Sequence, residues 1–431
     1  MEVEAGRWSA EQAAEVLGLS VRHVWRLKSG YREKGAAAFM HGNRGRTSPG
    51  RTREEIRTRV KELLSGQYAG CNDHHLAELL AQREGIVLGR KSVERIRLEA
   101  GLKPARRRRP PRHRQRRDRM PQAGMLLQVD GSPHHWFGPD QPRCTLLAAI
   151  DDATGEVVAA LFREQEDAQG YFLLLRQVLK TKGIPLDLYH DRHSIFQDNS
   201  KTPWTIAEEL QGRRQPTQFG RALEELGITP IAAHSPQAKG RVERLWGTLQ
   251  DRLVQELRLA GITDLKAGNR FLREYFKRFN ARFALPAEEP GLAYRSLDPG
   301  LDLNRILSFR YQRVVALDNT VRLDGRLIQI PPGLGRRSHA TARVWVHELL
   351  DGSLGVWYQE KWLARTSGRA DAAVRARKRG RELTARPEKP LPLKQLEKGP
   401  EVVKQKATAH PWRRYNPQYL KPRPLTESLS R

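Results

Sequence analysis

Between Lys103 and Arg119 the chain reads KPARRRRPPRHRQRRDR, with nine arginines, three prolines and almost no apolar side chain. A stretch of this kind cannot bury enough apolar surface to offset the entropy of ordering it, so no core runs through it. It predicts two folding regions, 1–103 and 121 onward, joined by an Arg-rich linker over 104–120. The formal net charge of +28 is spread unevenly. Residues 1–120 hold 28 Lys and Arg against 14 Asp and Glu, residues 125–260 hold 15 against 18, and residues 367–431 hold 17 against 6. A slightly acidic centre between basic ends suits arms that grip a phosphate backbone while the centre performs another task.

Several classes are excluded at this point. No apolar run approaches the roughly 18 residues that cross a bilayer. The start Met1-Glu2-Val3-Glu4 carries acids where a signal peptide carries basic and then apolar residues. Two cysteines, Cys71 and Cys144, cannot build a disulfide framework or a Cys-only zinc site. The expectation is a soluble cytoplasmic, nucleoid-associated protein with a polyanionic partner and no membrane contact.

The first 103 residues read as two helical modules, 1–50 and 51–103. Ser9 and Gln12 have capping-box spacing before Ala13, Ala14, Val16 and Leu17 at helical period. Gly18 closes that helix, and Ser20 caps a second one with Val21, Val24 and Leu27 inward. This is the helix-turn-helix pattern, with Arg22, His23 and Arg26 facing a major groove. In the second module, Glu54 to Leu64 is amphipathic, Asp73 caps a helix through Leu76, Leu79 and Leu80, and Gly89–Arg97 forms a third with its basic positions, among them Lys91 and Arg95, exposed. Cys71, His74 and His75 give poor tetrahedral geometry for zinc. In the linker, Arg106, Arg107, Arg108 and Arg109 suit a narrow minor groove or a phosphate track.

From Met125 the pattern changes to strands. Met125–Ser132 is a short apolar strand ending in an acid, Cys144–Ile150 and Val157–Phe162 are two more around an Asp151–Gly155 turn, and Asp167 begins a helix. Leu186–His190 is a strand with Asp191 at its end, Ala222–Leu226 is helical, and Ile228–Ala233 is a strand. Ser235-Pro236 opens a long helix to Leu257 with Val242, Leu245, Trp246, Leu249 and Leu253 as its buried stripe. This order predicts a mixed sheet with helices on both faces. Asp130 and Asp191 then sit at the ends of neighbouring strands, and Glu243 lies two turns into the helix beside them. Converging carboxylates repel unless a hard cation sits between them, and a metal pair about 3.5–4 Å apart can clamp both oxygens of a phosphodiester displacement.

Gln128-Val129-Asp130-Gly131-Ser132, Tyr189–Phe196 around Asp191, and His234-Ser235-Pro236-Gln237-Ala238-Lys239-Gly240-Arg241-Val242-Glu243-Arg244 resemble the three acidic motifs of the retroviral-integrase superfamily, in particular the DDE transposases of bacterial insertion sequences of the ISNCY type. The resemblance extends in order over nearly the whole chain. It implies a multidomain α/β protein: N-terminal helix-turn-helix modules, a central ribonuclease-H-like mixed sheet with flanking helices over 121–262, a helical extension over 263–304, a small C-terminal β-barrel over 305–366, and a basic, disordered tail over 367–431. It implies catalysis by Asp130, Asp191 and Glu243 holding two Mg²⁺ or Mn²⁺ ions. The implied partners are double-stranded DNA (terminal inverted repeats and target) and at least one further copy of the chain.

The interval from Asp191 to Glu243, 52 positions, exceeds the family's usual 35 or so. The excess is assigned to a polar surface loop near 197–218, with Lys201, Arg213 and Arg214 available to DNA. Glu224 and Glu225 precede a strand and are rejected as the third acid, and Asp151 and Asp152 are read as turn residues. Lys239 and Arg241 are assigned to phosphates beside the scissile bond. His134, His135, His190 and His193 are assigned DNA contacts or structural bonds. The tail, including His410–Arg414, offers no mechanism. The competing classes are a DNA-binding regulator with an inactive core and a hydrolytic nuclease of the same fold.

Overall fold

The computed structural model describes residues 2–40, 50–103, 118–199, 203–212, 214–233, 240–333 and 338–367. Arg106–Arg109, Lys201, Arg213, Lys239 and the tail from 368 therefore lie outside the described residues.

Helices α1 (Ala10–Leu17) and α2 (Val21–Lys34) start where their serines predict. Ser9 and Gln12 form a complete capping box, Gly18 ends α1 with a left-handed φ of 62°, and Ser20 caps α2. The small core here is Ala10, Ala13, Ala14 and Val24. Val16 and Leu17 are exposed, contrary to the helical-period reading, because alanines line the contact with α2. Helices α3 (Glu54–Ser65), α4 (Asp73–Arg83) and α5 (Arg90–Glu99) share a second core around Leu63, Leu76, Leu80 and Ile96. The cap of α4 is Asn72 rather than Asp73. Asp73 instead takes both arms of Arg97, which is buried rather than exposed.

The core contains a five-stranded sheet in the order β3-β2-β1-β4-β5, from β1 (Leu126–His134), β2 (Cys144–Asp151), β3 (Val157–Arg163), β4 (Asp187–His190) and β5 (Thr229–Ala232). The first three strands are antiparallel, while β4 lies parallel to β1 and β5 parallel to β4. Side chains alternate across a strand, and the two faces pack differently. Leu127, Val129, Leu147 and Ala149 join α6 (Ala168–Thr181) and α8 (Gln218–Leu226). Leu146, Ala148 and Ile150 join α9 (Gly240–Leu259) and α10 (Leu265–Phe283). All eight residues of β2 are buried, as helices on both faces require. The α9 stripe is as expected: Val242, Leu245, Trp246, Leu249 and Leu253 are all buried. Within 197–218, expected as loop, a short helix α7 (Ile206–Gln211) carries its own capping box from Thr205 and Glu208.

After α11 (Leu303–Ile306), strands β6 (Phe309–Val314), β9 (Arg343–Glu348), β10 (Leu354–Tyr358) and β11 (Lys361–Arg365) form an antiparallel sheet. The hairpin β7 (Thr320–Leu323) and β8 (Arg326–Gln329) turns at Asp324-Gly325, both at positive φ as a two-residue primed turn requires. The two sheets share one core around Val321, Ile328, Val346 and Val356. Among the described residues they are two separate hydrogen-bonded sheets, where a small β-barrel was expected.

The α3–α5 module is fastened to the core through polar pairs. Glu78 on α4 receives Arg252 of α9 at 2.6 Å and Arg282 of α10 at 2.7 Å. Asn72 bonds Asp251, and Arg258 reaches the carbonyls of Gln67 and Ala69. Buried Glu256 meets His75 at 3.1 Å and Arg83 at 3.3 Å. Burial alone raises the Glu256 carboxyl, but the His75 bond and the charges of Arg278 and Arg83 hold it below the ordinary glutamate range. A depressed folded value adds stability above the unfolded pKa and loses it as pH falls. Glu256→Gln is therefore expected to lower the urea midpoint at pH 7 by roughly 2 kcal/mol equivalent. The gap should begin to close below about pH 4.3 and vanish below the folded value. A gap unchanged by acid would show that the carboxylate charge contributes nothing to this contact.

Candidate active site

Asp130 lies in the middle of β1, opposite Ala148 of β2. Gly131 and Pro133 look like strand terminators, but pairing with Leu147, Leu146, Thr145 and Cys144 carries the strand to His134. The site therefore includes the wall beyond Asp130 as well as a strand end. Asp191 follows β4, and its Oδ1 accepts from the His193 N–H at 3.0 Å, a local Asx turn. Parallel pairing sets Gln128 beside Tyr189. Asp130 and Asp191 each lie two residues beyond that pair, and the charges of both act on the Glu166 carboxyl.

Helix α9 is tied along β1 at three levels. Arg241 Nη1 donates to Asp152 Oδ1 at 2.7 Å, and the Gln128 amide donates to the same oxygen at 2.6 Å. Trp246 Nε1 donates to Asp130 Oδ2 at 2.8 Å. Gln250 Nε2 donates to Ser132 Oγ at 3.2 Å. Helical rise from 241 to 250 is about 13.5 Å and strand rise from 128 to 132 about 13 Å, so helix and strand run side by side in step. Glu243 stands three and seven residues before Trp246 and Gln250, on the helix face that meets β1. It is exposed in the first turn, where the helix dipole favours an acid. The α9 side chain that bonds Asp130 is nevertheless Trp246. Among the described residues no three His, Cys, Asp or Glu gather closely enough to hold a metal ion.

Arg241 points inward, contrary to the phosphate contact read from the sequence. Its partner Asp152 is fully buried and also accepts from the Met120 N–H at 2.9 Å. Asp151 is equally buried and accepts from Gly124 N–H and Tyr294 hydroxyl at 2.8 and 3.1 Å. These two acids hold the core together, whereas a surface turn was expected.

The histidines make structural contacts. The His190 ring stacks on Phe196 at 4.5 Å and its Nδ1 lies 2.5 Å from the Asp191 carbonyl. His193 Nδ1 accepts from Ile195 N–H at 3.3 Å, His134 packs edge-on against Trp136, and His135 Nδ1 sits 3.1 Å from the Gln141 carbonyl. On the helical modules, Arg22, Arg26, Lys91 and Arg95 are exposed and His23 is half-buried. Arg214 stands over the Trp204 ring at 5.5 Å.

Sequence reasoning missed Glu166. It precedes α6 in an acidic loop with no motif around it. Its Oε1 accepts from the Tyr171 hydroxyl at 2.6 Å. Burial pushes the Glu166 carboxyl up, and the charges of Asp130 and Asp191 push it further. Burial, then Glu166 itself, raises the Tyr171 hydroxyl well above its usual range. The available signal was Gly131: a Cβ there would lie 2.6 Å from Glu166 Oε2 and 3.1 Å from Leu147.

No family model matches the chain. Over 352 residues it is 37% identical to the putative transposase y4bF of Sinorhizobium fredii (strain NBRC 101917 / NGR234), covering 81% of this chain and 75% of that protein. It is 32% identical over 357 residues to the transposase for insertion sequence IS1202 of Streptococcus pneumoniae, covering 75% of each. The chain belongs to the transposases. That membership supports an enzyme of the polynucleotidyl-transferase type. Among solved structures it is similar to the HTLV-2 integrase catalytic core domain in complex with magnesium (dimeric form), at 16% identity, 35% of this chain, 83% of that one and a TM-score of 0.26. It is also similar to a simian T-cell lymphotropic virus intasome in complex with PP2A regulatory subunit B56 gamma, at 12% identity, 72% and 99% coverage and a TM-score of 0.30. Scores this low leave the fold to be read from the strand order itself. Among the described residues no helix is long and apolar enough to cross a membrane.

Two substitutions test this geometry. Arg241→Gln leaves Asp152 buried with its main cationic partner removed and is expected to cost about 3 kcal/mol of unfolding stability in urea. A surface phosphate contact would leave stability unchanged and lower only DNA affinity. Gly131→Ala forces Glu166 or Leu147 to move and is expected to destabilise by roughly 1–3 kcal/mol. A neutral thermal transition would show that Glu166 does not occupy that space.

Proposed function

We propose that this transposase cuts DNA at the ends of its element and joins the resulting 3′-OH to target DNA, using Asp130, Asp191 and Glu243. What supports the reading is that the charges of Asp130 and Asp191 fall on one carboxyl, Glu166, while Trp246, on the helix that carries Glu243, bonds Asp130. The donor set fits a hard divalent cation, being carboxylate oxygen throughout, and the thiol nearest in sequence, Cys144, is buried and pushed up to about 11 by that burial. Bound there by the three acids, two Mg²⁺ or Mn²⁺ ions would supply Lewis-acid polarisation and neutralise charge on the phosphoryl oxygens.

The chain's own residues do the rest. Trp246 fixes the Asp130 carboxylate through its indole N–H. The backbone N–H of His193 fixes Asp191. Arg241, turned onto Asp152, sets the pitch of the helix that presents Glu243. In the first reaction water attacks the end phosphodiester and the 3′ oxygen leaves with a proton. In the second that 3′-OH attacks a target phosphodiester, with one P–O bond forming as another breaks in line.

Exposed Arg22 and Arg26 on α2, and Lys91 and Arg95 on α5, support these helices as the reading elements for terminal inverted repeats. His23 is a lesser candidate, being half-buried. The linker arginines Arg106–Arg109 and Lys239 are assigned phosphate contacts on charge alone. Joining two ends calls for at least a dimer on DNA.

The test is purified full-length protein with Mg²⁺, a labelled end duplex and a target plasmid. Wild type should cut and join. Asp130→Asn, Asp191→Asn and Glu243→Gln should each retain end binding and lose at least roughly 10³-fold in joining, while Glu224→Gln should keep it. Full joining by Asp130→Asn refutes the site. Shifting without cutting indicates a regulator, and cutting without joined product indicates a nuclease.

A further inference from the structure

Away from the carboxylates, α8, α11 and β6 bring three guanidiniums to one acid. Glu225 accepts from Arg221 Nη1 at 2.8 Å and from Arg310 Nη1 at 2.6 Å through Oε1, and from Arg310 Nη2 at 2.6 Å through Oε2. Arg305 Nη1 stands 3.8 Å from the same carboxylate, beyond hydrogen-bond length, with its guanidinium 5.3 Å from the Trp357 ring centre. Exposed Glu360 acts on Arg310 through its field. Carbonyls of Ile306, Ser308 and Arg305 take further Arg221 and Arg310 donors, while the Nε of each is buried without a partner.

The local charge is thus under-compensated. Burial, together with the neighbouring arginines, lowers both Arg221 and Arg310 from their ordinary range. His347, packed behind them, is brought down to about 3 by burial and then by the charges of Arg310, Arg221 and Arg305. Arginine does not give up its proton in proteins, so an anion is the remaining way to balance the cluster. The opening is narrow but present: the side chains of Arg221, Arg305 and Arg310 are 18, 27 and 14% exposed. Planar forks of this kind match phosphoryl oxygens.

We propose that Arg305, with Arg221 and Arg310 behind it, forms an anion site for a phosphoryl group at the junction of the central core and the C-terminal sheets. The group is either a backbone phosphate of duplex DNA or free phosphate. Arg305 is the contact residue, because it is the most exposed of the three and the least engaged by Glu225. The site does not depend on the catalytic reading, since its test reads unfolding and binding rather than joining.

The experiment is thermal unfolding of the full chain in rising inorganic phosphate against chloride at matched ionic strength. Wild type should rise in Tm with saturation. Arg305→Gln should weaken the apparent phosphate affinity at least roughly tenfold, and Glu225→Gln, which removes the competing carboxylate, should strengthen it. Opposite movement of these variants is not expected of a purely structural cluster. Salt-dependent binding to a non-specific duplex then separates the sources. A DNA phosphate predicts that Arg305→Gln lowers the log–log salt slope by about one, and a free anion predicts an unchanged slope with the Tm response intact. Equal phosphate response in wild type and both variants would overturn the site.

Discussion

Asp152 is the point on which the arrangement of the candidate site depends. It is a carboxylate with no solvent exposure, and one of its oxygens binds both Gln128 of β1 and Arg241 of α9. An ion taken out of water must be answered in full, because an uncompensated buried charge costs several kcal/mol. Strand and helix are therefore tied at the first turn of α9, two residues from Glu243 and two from Asp130. Trp246 and Gln250 repeat the connection at the next two levels. The helix cannot slide by a turn without breaking all three contacts at once. Apolar packing of the α9 stripe would hold the helix against the sheet but would tolerate such slippage better, since it is not directional.

The same device recurs where the α3–α5 module meets the core. Glu78 and Glu256 are each answered by two basic side chains from across the contact. The module has its own apolar core, so the fastening to α9 and α10 is largely polar. Polar fastening gives orientation with little hydrophobic driving force, and its strength follows from full pairing. Helix α9 thereby touches both the carboxylate-bearing strand and the α3–α5 module, so any force on that module is delivered to the helix bearing Glu243.

How much of this was legible depended on period and caps. The α9 stripe followed from the 3.6-residue spacing of Val242, Leu245, Trp246, Leu249 and Leu253. Ser9, Ser20 and Asp167 marked helix starts that the structure keeps. Strand existence was also readable, whereas the course of β1 past Ser132 was not, since Pro133 is a local breaker overridden by pairing with β2. The inward turn of Arg241 was hidden because a residue beside the apolar stripe sits at the edge of two faces, and only the position of Asp152 decides between them. Glu166 was missed for a related reason, since Gly131 marks a close approach without naming what approaches. Its importance comes from the space above Gly131, a through-space relation that no sequence interval encodes.

Net charge was a cruder guide than it looked. Arg57, Arg97, Arg163, Arg241 and Arg252 are each committed to an acid within the fold, with side chains no more than 12% exposed. Those pairings are internal structure, and their charge is not offered to a partner. Outward on the helical modules stand Arg22, Arg26, Lys91 and Arg95, with other exposed bases such as Lys34 and Arg53, and the densest basic run lies in the linker between the modules and the core. An electrostatic footprint drawn from composition alone would spread the phosphate-binding surface over the whole chain. The ion pairs confine it, because a guanidinium already held by a buried carboxylate would lose that partner in order to gain a phosphate. Arg305 differs from the others in this respect. It stands beyond hydrogen-bond length from Glu225 and can take a phosphate without breaking a strong pair.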